Sequence, residues 1–155
     1  MLALPGIPAV YFHSLVGSPN DTAAVQATGQ NRRINRHKYE RQSLEEALAE
    51  PDGLQRCVFD GYQHLLSVRI KQVAFHPKAS MRVLQLPGDG LLGFVRTADD
   101  GEQVAVVANL TASPRVVQSG LIDESLVHDE LALERIQPED GIQLLPFQVR
   151  WLTTF

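Results

Sequence analysis

Apolar residues change their spacing twice along the chain, and each change marks a predicted group of elements. Ile7 to Phe12 is a short aliphatic-aromatic run bounded by Gly and Pro, the pattern of a buried strand. Gly17 and Pro19 then mark a loop, and Thr22 to Gln42 shows no persistent period and reads as a long irregular segment. Ser43, followed by Glu46, has the form of a capping box for the short helix "LEEALAE". After Pro51-Asp52-Gly53, residues Leu54, Val58, Tyr62, Leu65, Leu66 and Arg69 recur at helical spacing, with Phe59 and Ile70 widening the stripe. Gly61 weakens this helix without ending it, and Pro77 helps to stop it.

From Met81 the period falls to two. "MRVLQL", "LLGFVRTA", "EQVAVVANLT", "PRVVQS", "ESLVHDE" and "GIQLLPFQVRWLTTF" are strand candidates separated by turn residues. Asp100-Gly101 is a hairpin signal, and Pro146 belongs at an edge or bulge. Short strands at this spacing predict an antiparallel sandwich or small barrel. The whole order is a strand, a polar loop and helices, then an all-β module. A terminal βα unit of a barrel with an appended β-domain fits that order, as one arrangement among several.

Charge adds a second asymmetry. Residues 1–71 carry eight Lys/Arg against seven Asp/Glu, while 72–155 carry six against eleven. Five of the fourteen cations, Arg32, Arg33, Arg36, Lys38 and Arg41, lie within "TGQNRRINRHKYER". An acidic second half and a cluster without interleaved aromatics argue against a nucleic-acid protein. Cys57 is the single cysteine, so it makes no internal disulfide, and the histidines lack ligand-like spacing. No metal or cofactor is therefore expected, and neither is a membrane span. A secretory signal fits poorly, because the N-terminus lacks a basic region and is broken by Pro5, Gly6 and Pro8. The expected compartment is the cytoplasm.

"LPGIPAVYFHSLVGSPND", "GQNRRINRHKYER" and "VFDGYQHLLSVRIKQVAFHP" together resemble the C-terminal third of glycoside hydrolase family 13 sugar phosphorylases, within the α-amylase superfamily. "PGIPAVYF" is generally amylase-like; the "ND…NRRINRHKY" continuation is similar to the sucrose and glucosylglycerate phosphorylase branch. The resemblance covers about residues 1–110 well and the rest loosely. It implies an α/β plus all-β fold: the last βα unit of a (β/α)8 TIM barrel over 1–78, then an antiparallel β-sandwich over 79–155. It also implies retaining α-glucosyl transfer between an α-glucoside and inorganic phosphate, on two carboxylates. Those acids would stand on strands before residue 1, so the chain is expected to be a fragment, inactive by itself.

The same resemblance implies the site residues. Arg32 matches an arginine that binds the glucosyl unit on the loop after strand eight; its planar fork suits neighbouring hydroxyls or an anion in a way lysine cannot reproduce. Arg33 stands where a sucrose phosphorylase can carry aspartate, a departure that bears on the acceptor. Asn20 and Asp21 match a pair that shapes this loop, and His13 lies just past the predicted strand. Beside these stand plainer readings: salt-bridged or solvated arginines, Asn20 and Asp21 bonding nearby backbone, and His13 packed. Asn109-Leu110-Thr111 satisfies the glycosylation pattern but is expected to go unused, and Trp151 and Phe155 are read as core residues of the β-domain. The alternatives are a non-catalytic carbohydrate-binding or structural β-module, and a fragment of an amylase-like glycoside hydrolase.

Overall fold

A computed structural model of the chain describes residues 1–137, 139 and 141–154. Phe155 therefore lies outside the described residues. The chain forms two compact units, one made of 1–8 with 67–155 and the other of 9–66.

The unit of 9–66 is helical. It contains α1 (Phe12–Leu15), α2 (Thr22–Thr28), a 3-10 helix at Asn31–Asn35, α3 (Arg41–Ala49) and most of α4 (Leu54–Arg69). The expected strand at Ile7–Phe12 is not formed: residues 7–11 are irregular, Phe12 begins α1, and Ile7 is 85% exposed. A barrel strand is held by hydrogen-bonded neighbours on both edges; among the described residues no strand precedes Ser80. The segment predicted to be irregular is instead broken into short helices by local signals. Asp21 caps α2 by accepting the Ala24 N–H at 2.9 Å, and Gly29 ends that helix at φ 66°. Ser43 lies inside α3, whose N-cap is Glu40 without a side-chain bond, so the capping box is not used. Helix α4 spans the predicted stripe, yet only Val68 and Arg69 within it are buried. Gly17 is required by its setting: φ is 59°, and an added Cβ would sit 3.0 Å from Val58.

The other unit carries the β-structure. A six-stranded antiparallel sheet has the order β1 (Ser80–Val83), β2 (Leu91–Thr97), β3 (Gln103–Asn109), β8 (Val149–Thr153), β5 (His128–Asp129) and β6 (Glu134–Arg135). Strands β4 (Arg115–Val117) and β7 (Ile142–Leu144) form a second antiparallel sheet. Neither sheet closes into a barrel. The Asp100-Gly101 signal lies in the β2–β3 hairpin, where Gly101 takes φ 91°. Pro146 falls between β7 and β8, outside either ladder. β5 falls within the predicted "ESLVHDE", while its partner β6 has no counterpart among the predicted strands.

The two sheets share an apolar core. Val95, Ala105, Val107 and Leu152 of the large sheet meet Val117, Ile142 and Leu144 of the small one, with Leu84, Ile122 and Leu126 filling between. This is the layered arrangement of a sandwich. The opposite face of the large sheet is also covered. Phe94, Val104, Val106 and Trp151 are buried there, and the Phe75 ring lies edge-on to Trp151 at 4.8 Å. Burial of both faces turns β2 and β3 into continuous buried runs in place of an alternation.

That cover is fastened by two arginines. Arg96 on β2 is fully buried and donates to four carbonyls: Ser80 at 3.2 Å, Ala3 at 2.9 Å, His76 at 2.8 Å and Ala79 at 3.1 Å. Arg69 donates to Leu2 and Phe75 carbonyls, its guanidinium 5.5 Å from the Phe75 ring centre. Burial lowers the pKa of each, and at Arg96 the repulsion of Arg69 adds to this. At the far edge, Asp129 accepts from Arg150 at 2.8 Å and from the Leu131 and Trp151 N–H groups.

Asn109 is buried and donates to the carbonyls of Ser113 and Leu145, while its own oxygen accepts from Thr111. In this fold the amide is structural and out of reach of a glycosylating enzyme. Asn109→Ala is expected to lower stability by about 2 kcal/mol, since it strands buried backbone groups. Arg96→Met takes the guanidinium donor from the buried carbonyls of Ala3 and Ala79 and is expected to cost about 3 kcal/mol, with Arg96→Lys between it and the native protein. Denaturant unfolding of the chain checks both.

Candidate functional site

The arginine cluster is presented by the 3-10 helix Asn31–Asn35. Its turns are closed by the Arg33 N–H on the Gln30 carbonyl and the Arg36 N–H on the Arg33 carbonyl, both at 3.0 Å. Tyr11, Asn31, Arg32, Ile34, Asn35 and Arg36 surround an open concavity of about 610 Å³. Among the described residues, no carboxylate pairs with Arg32 or Arg36. Both guanidinium groups are thus available for an anion or for vicinal hydroxyls.

Of the five residues anticipated from the sequence, Arg32 lines this concavity and the other four do not. Arg33 lies one step along the helix, and its charge helps to lower the Asp21 pKa. Asp21 sits behind the turn. Its Oδ1 accepts the Ala24 N–H, its Oδ2 lies 3.3 Å from His37 Nδ1, and its own N–H donates to the Ile34 carbonyl at 2.7 Å. The Ala24 bond is the main cause of the lowered pKa; partial burial opposes it, and His37 and Arg33 reinforce it. His13 lies in α1 with its Nδ1 2.8 Å from Ser18 Oγ and its ring against Tyr11, Phe12 and Tyr39. Asn20 is exposed.

The residues that reading the sequence did not single out are Tyr11, Asn31, Asn35 and Tyr39. Tyr11 donates its hydroxyl to the Asn35 carbonyl at 3.0 Å. Tyr39 lies edge-on to His37 at 4.7 Å, and its hydroxyl is buried without a hydrogen-bond partner among the described residues. In the sequence Tyr11 belongs to the apolar run, where an aromatic ring signals packing; only its neighbours in space reveal the hydroxyl's role.

The concavity offers two cations, two carboxamides and a phenol, and no acid. It can bind a sugar or an anion, but it holds no carboxylate to act as nucleophile or general acid. Cys57 is a free thiol exposed on α4 and does not line the concavity. Among the described residues no group of three or more His, Cys, Asp or Glu could hold a metal ion, and no helix is long and apolar enough to cross a membrane.

No family model matches the chain. It is 44% identical to the glucosylglycerate phosphorylase of Allomeiothermus silvanus over 98% of this chain and 25% of that protein. To the glucosylglycerate phosphorylase of Spirochaeta thermophila it is 39% identical, over 100% of this chain and 28% of that protein. The chain therefore spans about a quarter of the length of the curated relatives it matches. Among solved structures, the trehalulose synthase MutB of Pseudomonas mesoacidophila aligns with TM-score 0.53 and 21% identity, over 72% of this chain and 20% of that one, a likeness of fold alone. Sequence similarity that runs past the arginine turn and through the β-strands, joined to an amylase-like fold, places the chain: over most of its length it matches the sugar phosphorylases of glycoside hydrolase family 13.

Proposed function

We propose that this chain is the C-terminal portion of a retaining α-glucosyl phosphorylase, and that the Arg32–Arg36 concavity forms the wall that grips glucosyl and phosphate. The observation that carries this reading is the pair of unneutralised guanidinium groups sharing one polar concavity with Tyr11, Asn31 and Asn35. Phosphate is a dianion that takes bidentate bonds from arginine, and the glucosyl ring offers adjacent hydroxyls at similar spacing. The similarity to two glucosylglycerate phosphorylases over nearly the whole chain favours a glucosylglycerate-like α-glucoside over sucrose as donor. A glycerate leaving group carries a carboxylate, which the same positive field would attract.

Bond cleavage is assigned elsewhere. One carboxylate attacks the anomeric carbon with departure of a leaving group protonated by a second, and phosphate then displaces the enzyme from the opposite face, so that configuration is retained. Those carboxylates would come from a barrel outside these 155 residues, and Arg32 would hold the glucosyl unit in place through both steps. The helical unit supports such a context: across residues 9–66 the one buried residue is Val16, too little core to stand alone. Ile7–Phe12 would then gain its strand pairing from barrel neighbours.

The test is a chimera in which this chain replaces the homologous quarter of the Allomeiothermus silvanus enzyme. Phosphate-dependent release of glucose 1-phosphate from glucosylglycerate is expected, exceeding that from sucrose, while the 155-residue chain alone releases none. Arg32→Ala is expected to lower kcat/KM by about a hundredfold or more with the melting temperature unchanged, and Arg32→Lys to restore little. Equal rates for Arg32→Ala and the parent chimera would discard Arg32 as a binding residue.

A further inference from the structure

We propose, resting on the reading of the arginine turn as a binding element, that Tyr11 is a positioning residue that fixes the direction of Arg32 and Arg36. A 3-10 helix of five residues has little stability of its own, because its hydrogen bonds are few and poorly aligned. Its last carbonyls have no partner within the helix. Here both are taken from outside. The Ile34 carbonyl accepts the Asp21 N–H, and the Asn35 carbonyl accepts the Tyr11 hydroxyl, from a residue 24 positions away in the chain.

Each of these two fastenings is itself held. Asp21 is braced by the Ala24 N–H and by His37. The Tyr11 ring tilts against His13 at 5.3 Å; His13 lies 2.8 Å from Ser18 and 5.9 Å from Tyr39, and Tyr39 in turn abuts His37. An arc of four rings, Tyr11–His13–Tyr39–His37, thus runs behind the turn from one fastening to the other and ends on the Asp21 carboxylate. Arg32 and Arg36 project from the segment these fastenings close.

Position separates this role from simple packing. Tyr11 is 49% exposed and lines the same concavity as the two arginines, so its ring is no core residue. A hydrogen bond in such a half-wet place adds little to overall stability, because water replaces it on unfolding. Its effect is on geometry: without it the Asn35 carbonyl is free to turn to solvent, and the arginines swing with the backbone that carries them.

Tyr11→Phe removes the hydroxyl and keeps the ring, so the fold is retained and the melting temperature is expected to be unchanged. Hydrogen exchange at the Arg33 and Arg36 amides, measured in the chimera, is expected to quicken about tenfold. In the chimera, kcat/KM for phosphorolysis is expected to fall roughly tenfold to a hundredfold, the range in which small misplacements act. In an Arg32→Ala background the same substitution is expected to lose most of that effect, because Tyr11 acts through the arginine; a merely structural role would add in full. Unchanged exchange at both amides, or full additivity with Arg32→Ala, overturns the proposal. A chimera without any phosphorolysis sinks the functional reading instead, and the exchange rates still decide the role of Tyr11.

Discussion

The guanidinium of Arg96 sits at full burial, paired with no carboxylate among the described residues and satisfied by the carbonyls of Ala3, His76, Ala79 and Ser80. Removing a permanent charge from water is costly, and here the cost is offset by hydrogen bonds that the guanidinium donates to four backbone carbonyls. The consequence is a constraint on chain path. Two stretches far apart in sequence, at Ala3 and at 76–80, must bring their carbonyls to one point on β2, and they can do so only if the N-terminal residues and the 73–80 segment lie across the outer face of the large sheet. Arg69 repeats the device with Leu2 and Phe75. Because that face is covered, Phe94, Val104, Val106 and Trp151 become core, and the sheet is buried on both sides.

The helical unit is organised on the opposite principle. It buries almost nothing, and its order between Tyr11 and Tyr39 comes from polar bonds and ring contacts near water. Such bonds are individually weak, which suits a surface whose purpose is to present donors and not to support a core. Among the described residues Arg32 and Arg36 pair with no carboxylate, so this face keeps its positive charge. On the proposed reading, binding and chemistry divide along the chain: the Arg32–Arg36 concavity holds a sugar or a phosphate, and the bond-breaking acids come from other residues.

Several elements were legible because their cause is local. The hairpin at Asp100-Gly101, the strands β2, β3 and β8, and helix α4 follow from turn residues and periodicity that act within a few positions. The resemblance carried by "NRRINRHKY" directed attention to Arg32, which the structure sets in the concavity. Other elements were misread because their cause is distant. Ile7–Phe12 has the composition of a buried strand, yet a strand exists only where neighbours pair with it, and none is present among the described residues. Thr22–Gln42 lacks a period since its short helices bury no stripe; they are stopped and capped by Asp21 and Gly29, which single-residue signals only hint at.

By itself, then, the sequence determined the order of helices before strands, the hairpin, the placing of a cationic cluster in a polar segment, and the likeness to phosphorolytic relatives. These depend on side-chain type and on near neighbours. Only the tertiary structure decided that Arg96 and Arg69 are buried clamps and not surface charges, that Asn109 is sealed in a backbone network, and that Tyr11 closes the turn bearing Arg32. Each of these is a contact between residues remote in the chain, and a linear pattern holds no record of which carbonyl a buried donor will meet.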